Sequence, residues 1–133
     1  MRLRYSPFAG KPGALHAVIC AAPFFAYGYS LGDEVAIRED GLIGPILVRS
    51  DTFTYRVILE RRNEDELTQD EMKTLVRKCK KAREELERPG YLVEWHSPSY
   101  GAVVAKGERE AEQLVEFLTK KQEAGEWIWE SGG

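Results

Sequence analysis

The chain has 133 residues, 43% of them apolar and 31% charged, which supports a core of single-domain size and excludes general disorder. Nineteen basic against 22 acidic side chains leave a formal charge of −3. There is no cationic surplus with which to grip a polyanion, so the balance argues against nucleic-acid binding. Cys20 and Cys79 lie far apart inside apolar patterns, as thiols in a reducing compartment do.

Residues 1–13 are basic and turn-rich, with Arg2, Arg4 and Lys11 among Pro7, Gly10 and Pro12, and are expected to form a flexible arm. No secretory cleavage pattern follows. The longest apolar stretch, Ala14 to Leu31, is interrupted by His16, Pro23, Tyr27, Gly28, Tyr29 and Ser30. That is too broken to cross a bilayer core of about 30 Å as a helix, and a soluble, cytoplasmic protein without a membrane partner is expected.

The section 14–53 is expected to be β-rich, with three or so strands. Ala14–Ala22 is a short apolar run carrying Val18 and Ile19 and closed by Pro23. Pro23–Asp33 packs Phe24, Phe25, Tyr27 and Tyr29 between glycines and reads as a structured aromatic loop. Glu34–Glu39 alternates, Asp40-Gly41 is a turn signal, and Leu42–Arg49 returns as its partner. Pro45 in that run places it at an edge or a bulge.

From residue 54 the period changes. Thr54–Leu59 reads as a strand and Glu60–Glu66 as a charged connection. Thr68 with Glu71 forms a capping box, after which Met72, Leu75, Val76, Cys79 and Leu86 mark one face of a helix. Pro89-Gly90 stops it. Tyr91–Trp95 and Gly101–Ala105 read as a hairpin about the loop His96–Tyr100. A second helix starts at Glu108 with Ala111, Leu114, Val115 and Leu118 as its stripe, Gly125 caps it, and Glu126–Glu130 alternates as a last strand. The order strand, helix, strand, strand, helix, strand over about 54–130 predicts an α+β fold with a ferredoxin-like βαββαβ part, both helices on one face of an antiparallel sheet. The whole of 1–133 is expected to be one domain.

The chemistry-bearing residues are sparse. His16, Cys20, Cys79 and His96 are the soft metal ligands, but no close pair has ligand spacing, so no metal or cofactor is expected. Ser50-Asp51 with His96 supplies the residue types of a triad without a nucleophile elbow. The Gly10-Lys11 pair lacks the spacing of a phosphate loop and precedes no helix. Lys73, Arg77, Lys78, Lys80, Lys81 and Arg83 make the first helix basic, but Glu84, Glu85 and Glu87 follow and the strands lack the aromatic pattern of RNA-binding sheets. The aromatic loop is the most informative local feature, because exposed aromatics there would anchor a partner. Phe24, Phe25, Tyr27 and Tyr29 are the candidate protein-binding residues.

Pro23-Phe24-Phe25, Gly32-Asp33 leading into Glu34-Val35, and Ser50 with Thr54 and Arg56 ahead of Val57 together make the chain resemble a family of small bacterial proteins, domain of unknown function 4265. The resemblance runs from about Leu15 to the end. Asp51 departs from it where a glycine is the pattern, Ala21 where a polar residue is, and no proline precedes the second helix near Lys106. It implies no established activity, and makes Asp33, Ser50 and Arg56 the polar residues to watch. Asp33 after Gly32 could close a turn, with Arg56 as its partner.

By subtraction, the expected function is a non-enzymatic protein-binding domain, an immunity protein or antitoxin that occludes a toxin-like partner. An acidic balance would steer it to a basic one. The alternative is a small-ligand or enzymatic pocket lined by Asp33, Ser50 and Arg56.

Overall fold

The computed structural model describes residues 3–5, 15–20 and 28–132. Among them the chain forms two antiparallel sheets and two helices. The first sheet has the order β1 (Leu3–Tyr5), β2 (Leu15–Ile19), β3 (Glu34–Ile37), β4 (Ile43–Val48). Within the stretch expected to be a flexible arm, Leu3–Tyr5 is therefore a strand, because its backbone pairs with Ala17–Ile19; the rest of 1–13 lies outside the described residues. Ala17, Ile19 and Val35 form the small core of this sheet, with Tyr29, Ile37, Ile43 and Ile46 packed on it. Asp40-Gly41 turns as expected: Gly41 takes φ +81°, and the amide of Arg38 donates to the carbonyl of Leu42 at 2.8 Å. Pro45 sits on β4, an edge strand whose pairing with β3 shifts register twice, where the missing donor costs no ladder bond.

The second sheet has the order β6 (Leu92–Ser97), β7 (Tyr100–Lys106), β5 (Thr52–Ile58), β8 (Ile128–Ser131), with α1 (Gln69–Glu87) after β5 and α2 (Gly107–Glu123) after β7. β5 starts two residues earlier than its apolar run because Thr52 already pairs with Lys106. The loop expected at His96–Tyr100 shrinks to Pro98-Ser99, since Ser97 pairs with Tyr100 across a two-residue turn. Both helices lie on one face. Tyr55, Val57, Val103 and Ala105 meet Leu75, Cys79, Ala82 and Leu86 of α1 and Ala111, Leu114 and Leu118 of α2. Each leucine so buried contributes about 1.5–3 kcal/mol of transfer free energy. Val76, expected on the buried stripe of α1, is half exposed at 50%. At 100° per residue it falls to the flank of a face centred on Leu75 and Cys79, and Ala82 fills the gap.

Alternate residues of the sheet point to the opposite face. Thr54, Arg56, Ala102 and Val104 are buried there, and Leu31 packs on Ala102 and Val104. The segment that leads into β3 thus covers the face the helices leave bare. One backbone bond ties the halves further: the Gly28 amide donates to the carbonyl of Gly132 at 3.0 Å, and the Gly132 amide donates in turn to the Thr54 carbonyl of β5 at 2.8 Å. No helix among the described residues is long and apolar enough to cross a membrane.

Candidate functional site

β5 supplies one wall of a polar cluster between the sheets. Period-two alternation puts Phe53, Tyr55 and Val57 toward the helices and Thr52, Thr54 and Arg56 toward the covering segment. That segment brings Ser30, Leu31 and Asp33, and the link between β4 and β5 brings Ser50. Asp33 is fully buried at 0% exposure. Its Oδ2 accepts from the Ser30 amide at 2.8 Å, and its Oδ1 accepts from the Ser50 amide at 2.8 Å. Ser50 Oγ lies 2.7 Å from the Leu31 carbonyl and 3.0 Å from Asp33 Oδ1, so one hydroxyl proton is shared between two acceptors. Thr52 Oγ1 donates to the same Leu31 carbonyl and lies 2.8 Å from the hydroxyls of both Ser30 and Ser50. Ser30 Oγ is also 2.8 Å from Thr54 Oγ1.

The structure therefore brings Asp33 and Ser50 into direct contact and puts Arg56 next but one along β5 from Thr54, on the same face. The Asp33–Arg56 pairing does not form. The carboxylate oxygens of Asp33 are taken by the neutral donors of Ser30 and Ser50. The Arg56 guanidinium instead lies against the backbone of Gly132, where any Cβ would collide with its Nη1. Ser30, Thr52 and Gly132 were not singled out by sequence. A serine beside an aromatic run and a threonine at a strand start look like solvent contacts until the covering segment is in place.

Chemically the cluster is a hydrogen-bonded clasp. The carboxylate accepts three bonds and the hydroxyls bond one another, with Ser30, Asp33 and Thr54 buried and Ser50 and Thr52 half buried. Of the other candidates, Tyr29 is half buried, packs on the small core and donates its hydroxyl to the Gly44 carbonyl at 3.0 Å. Phe24, Phe25 and Tyr27 lie outside the described residues. No group of three or more His, Cys, Asp or Glu side chains among the described residues is placed to hold a metal.

Open surface lies on the helical layer. A groove of about 450 Å³ between α2 and β5 is lined by Phe53, Tyr55, Ala111 and Val115, with Glu108, Glu112 and Glu116 along its rim. Burial pushes the Tyr55 hydroxyl above its ordinary pKa, so the phenol stays neutral at the groove floor. A second cleft of about 500 Å³ between α1 and β6 has Val76, Cys79, Trp95 and Pro98 for walls and Lys80 and Arg83 at its mouth. Burial pushes the Cys79 thiol up, and nearby Arg83 offsets this only in part, so Cys79 is a poor nucleophile.

The family model of domain of unknown function 4265 (DUF4265) matches residues 8–129. The chain belongs to that family. A solved structure of a hypothetical protein from Neisseria gonorrhoeae is 18% identical to it, with 88% of this chain and 74% of the other covered and a TM-score of 0.59. At that identity the likeness shows a shared fold. A comparison with the curated proteins finds no match.

Proposed function

We propose that this DUF4265 domain is a non-enzymatic protein-binding domain that acts by occlusion, as an immunity protein or antitoxin does. The observation that carries the reading is the division of labour between its surfaces. The polar residues that could have made a reaction centre bond one another between the sheets. The open concave surface beside α2 has an apolar floor and three carboxylates along its rim. Apolar concavity with a charged rim is the anatomy of a protein contact. The rival pocket at Asp33, Ser50 and Arg56 gains no support, since none of these residues lines either cleft.

The strand order β6-β7-β5-β8 with both helices on one face supports a ferredoxin-like arrangement for Thr52–Ser131. The Gly28–Gly132 backbone bond and the Ser30–Thr54 hydroxyl contact between the halves support one domain. The free thiols of Cys20 and Cys79 accord with a cytoplasmic location. Phe24, Phe25 and Tyr27 belong to the same reading as expected contacts.

The test is co-expression with the product of the neighbouring gene, followed by purification through a tag on that product. A stoichiometric complex that suppresses the partner's toxicity is expected. Purified protein that turns over a substrate, or a neighbour that neither binds nor harms cells, overturns the reading.

A further inference from the structure

The groove beside α2 carries more than the general reading. Glu108, Glu112 and Glu116 stand four residues apart, so they form a ridge about 12 Å long at 1.5 Å per residue. Glu116 pairs with Lys120 at 3.3 Å, with both side chains 71% exposed. Glu108 and Glu112 have no ion-pair partner among the described residues. Like charges four apart on a helix repel one another and destabilise it. The helix macrodipole offsets this for Glu108 in the first turn, but its effect has faded by Glu112. Behind the ridge, Phe53, Tyr55, Ala111 and Val115 present an apolar strip, and Val115 and Phe53 are only half buried.

We propose that the α2–β5 groove receives an amphipathic helix of a partner protein, its apolar stripe on Phe53, Ala111 and Val115 and its Lys or Arg side chains, four apart, on Glu108 and Glu112. This rests on the protein-binding reading and names the partner's chemistry. A helix fits because its i, i+4 side chains repeat at the spacing of the glutamates. The cations would replace the mutual repulsion of the carboxylates with attraction. The apolar strip supplies most of the affinity and the charges supply selectivity and a fast on-rate.

Two model peptides of about 16 residues test it, identical in their leucine stripe, one flanked by lysines and the other by glutamates. Calorimetry on the full chain is expected to show the lysine peptide binding at least about tenfold more tightly, with the advantage shrinking as salt rises. Glu108→Gln with Glu112→Gln, both exposed, should weaken the lysine peptide about fivefold or more and leave the melting temperature unchanged or raised. Equal binding of both peptides, no binding of either, or an effect of the double substitution on neither overturns the proposal. So does concentration-dependent self-association that the double substitution abolishes, which would make a second copy the occupant. If a co-purified partner is retained by the double variant, this inference fails while the protein-binding function stands. If no partner exists, both fail.

Discussion

Asp33 joins the segment before β3 to the link between β4 and β5 through three bonds that a shorter or neutral side chain could not all make. An aspartate there accepts from the amides of Ser30 and Ser50 at once, because two oxygens on a short stem span donors from two different loops. Gly132 matters for the opposite reason, namely that nothing extends from its Cα. A Cβ would meet Arg56 Nη1 and lie 3.2 Å from the Thr54 carbonyl, and a guanidinium buried at 0% exposure has little room to yield. Gly132→Ala should therefore lower stability by about 1–3 kcal/mol through overpacking, read as a lower urea midpoint at constant slope. Ser131→Ala next to it, on an exposed side chain, should change little. Equal midpoints for the two variants would refute the packing argument. Gly101 is constrained in the same way, with a Cβ falling 2.5 Å from Trp95 Cε3.

At the scale of elements, α1 shows how local chemistry sets a boundary. Thr68 Oγ1 accepts from the Glu71 amide at 3.1 Å while the Glu71 carboxylate accepts from the Thr68 amide at 3.1 Å. Thr68→Ala should cost about 1 kcal/mol by freeing an orphan amide, measurable in thermal unfolding. Arg62 extends this cap by bonding both Glu60 at 3.0 Å and Glu71 at 2.6 Å. The Arg62 hydrogen bond holds the Glu60 carboxyl down at about 2, from an ordinary 4.5. A depressed folded pKa means that the unfolded chain binds the proton first, so this contribution is complete above about 4.5 and is lost as pH falls toward about 2. Arg62→Gln should flatten the melting-temperature profile across that window and leave it unchanged at neutral pH apart from a constant offset. A variant as acid-sensitive as the parent would count against the pairing. At the other end of the molecule, Lys121 reaches Glu85 of α1 and Glu126 at 2.8 Å each and sits 5.1 Å over the Trp127 ring, so one cation ties α1, α2 and the entry to β8 together.

At the scale of the whole molecule, two sheets with separate cores meet at one junction. Among the described residues their apolar contact is Leu31 on Ala102 and Val104, and the polar clasp lies beside it. Asp33→Ala would take the acceptor from the buried amide of Ser30, at about 1–3 kcal/mol, and from the part-buried amide of Ser50 at a smaller cost. Hydrogen exchange should then show β2, β3 and β4 losing protection while α1, α2 and β7 keep theirs. A uniform loss across both sheets would mean that the two halves unfold only together and that the clasp is not their hinge.

Most of the elements were legible in the residues. The capping box, the leucine stripes of both helices, the Asp40-Gly41 turn and the alternation of the strands are local signals, enforced within a few residues of chain, and they fell where the pattern put them. The edge position of Pro45 followed from a missing amide. Val76 and the short turn at Pro98-Ser99 did not follow, because neighbouring elements decide which flank of a helix is covered and how far a hairpin zips. The candidate site was half legible: Asp33, Ser50 and Arg56 stood out, but not that the first two would bond each other or that Arg56 would rest on Gly132 instead of on Asp33. Sequence alone determined where helices and strands form, since backbone hydrogen bonding and side-chain period are local. Only the tertiary structure decided that the polar face of β5 is buried and an acidic apolar groove left open, because burial belongs to the surface that arrives opposite a residue and not to the residue itself.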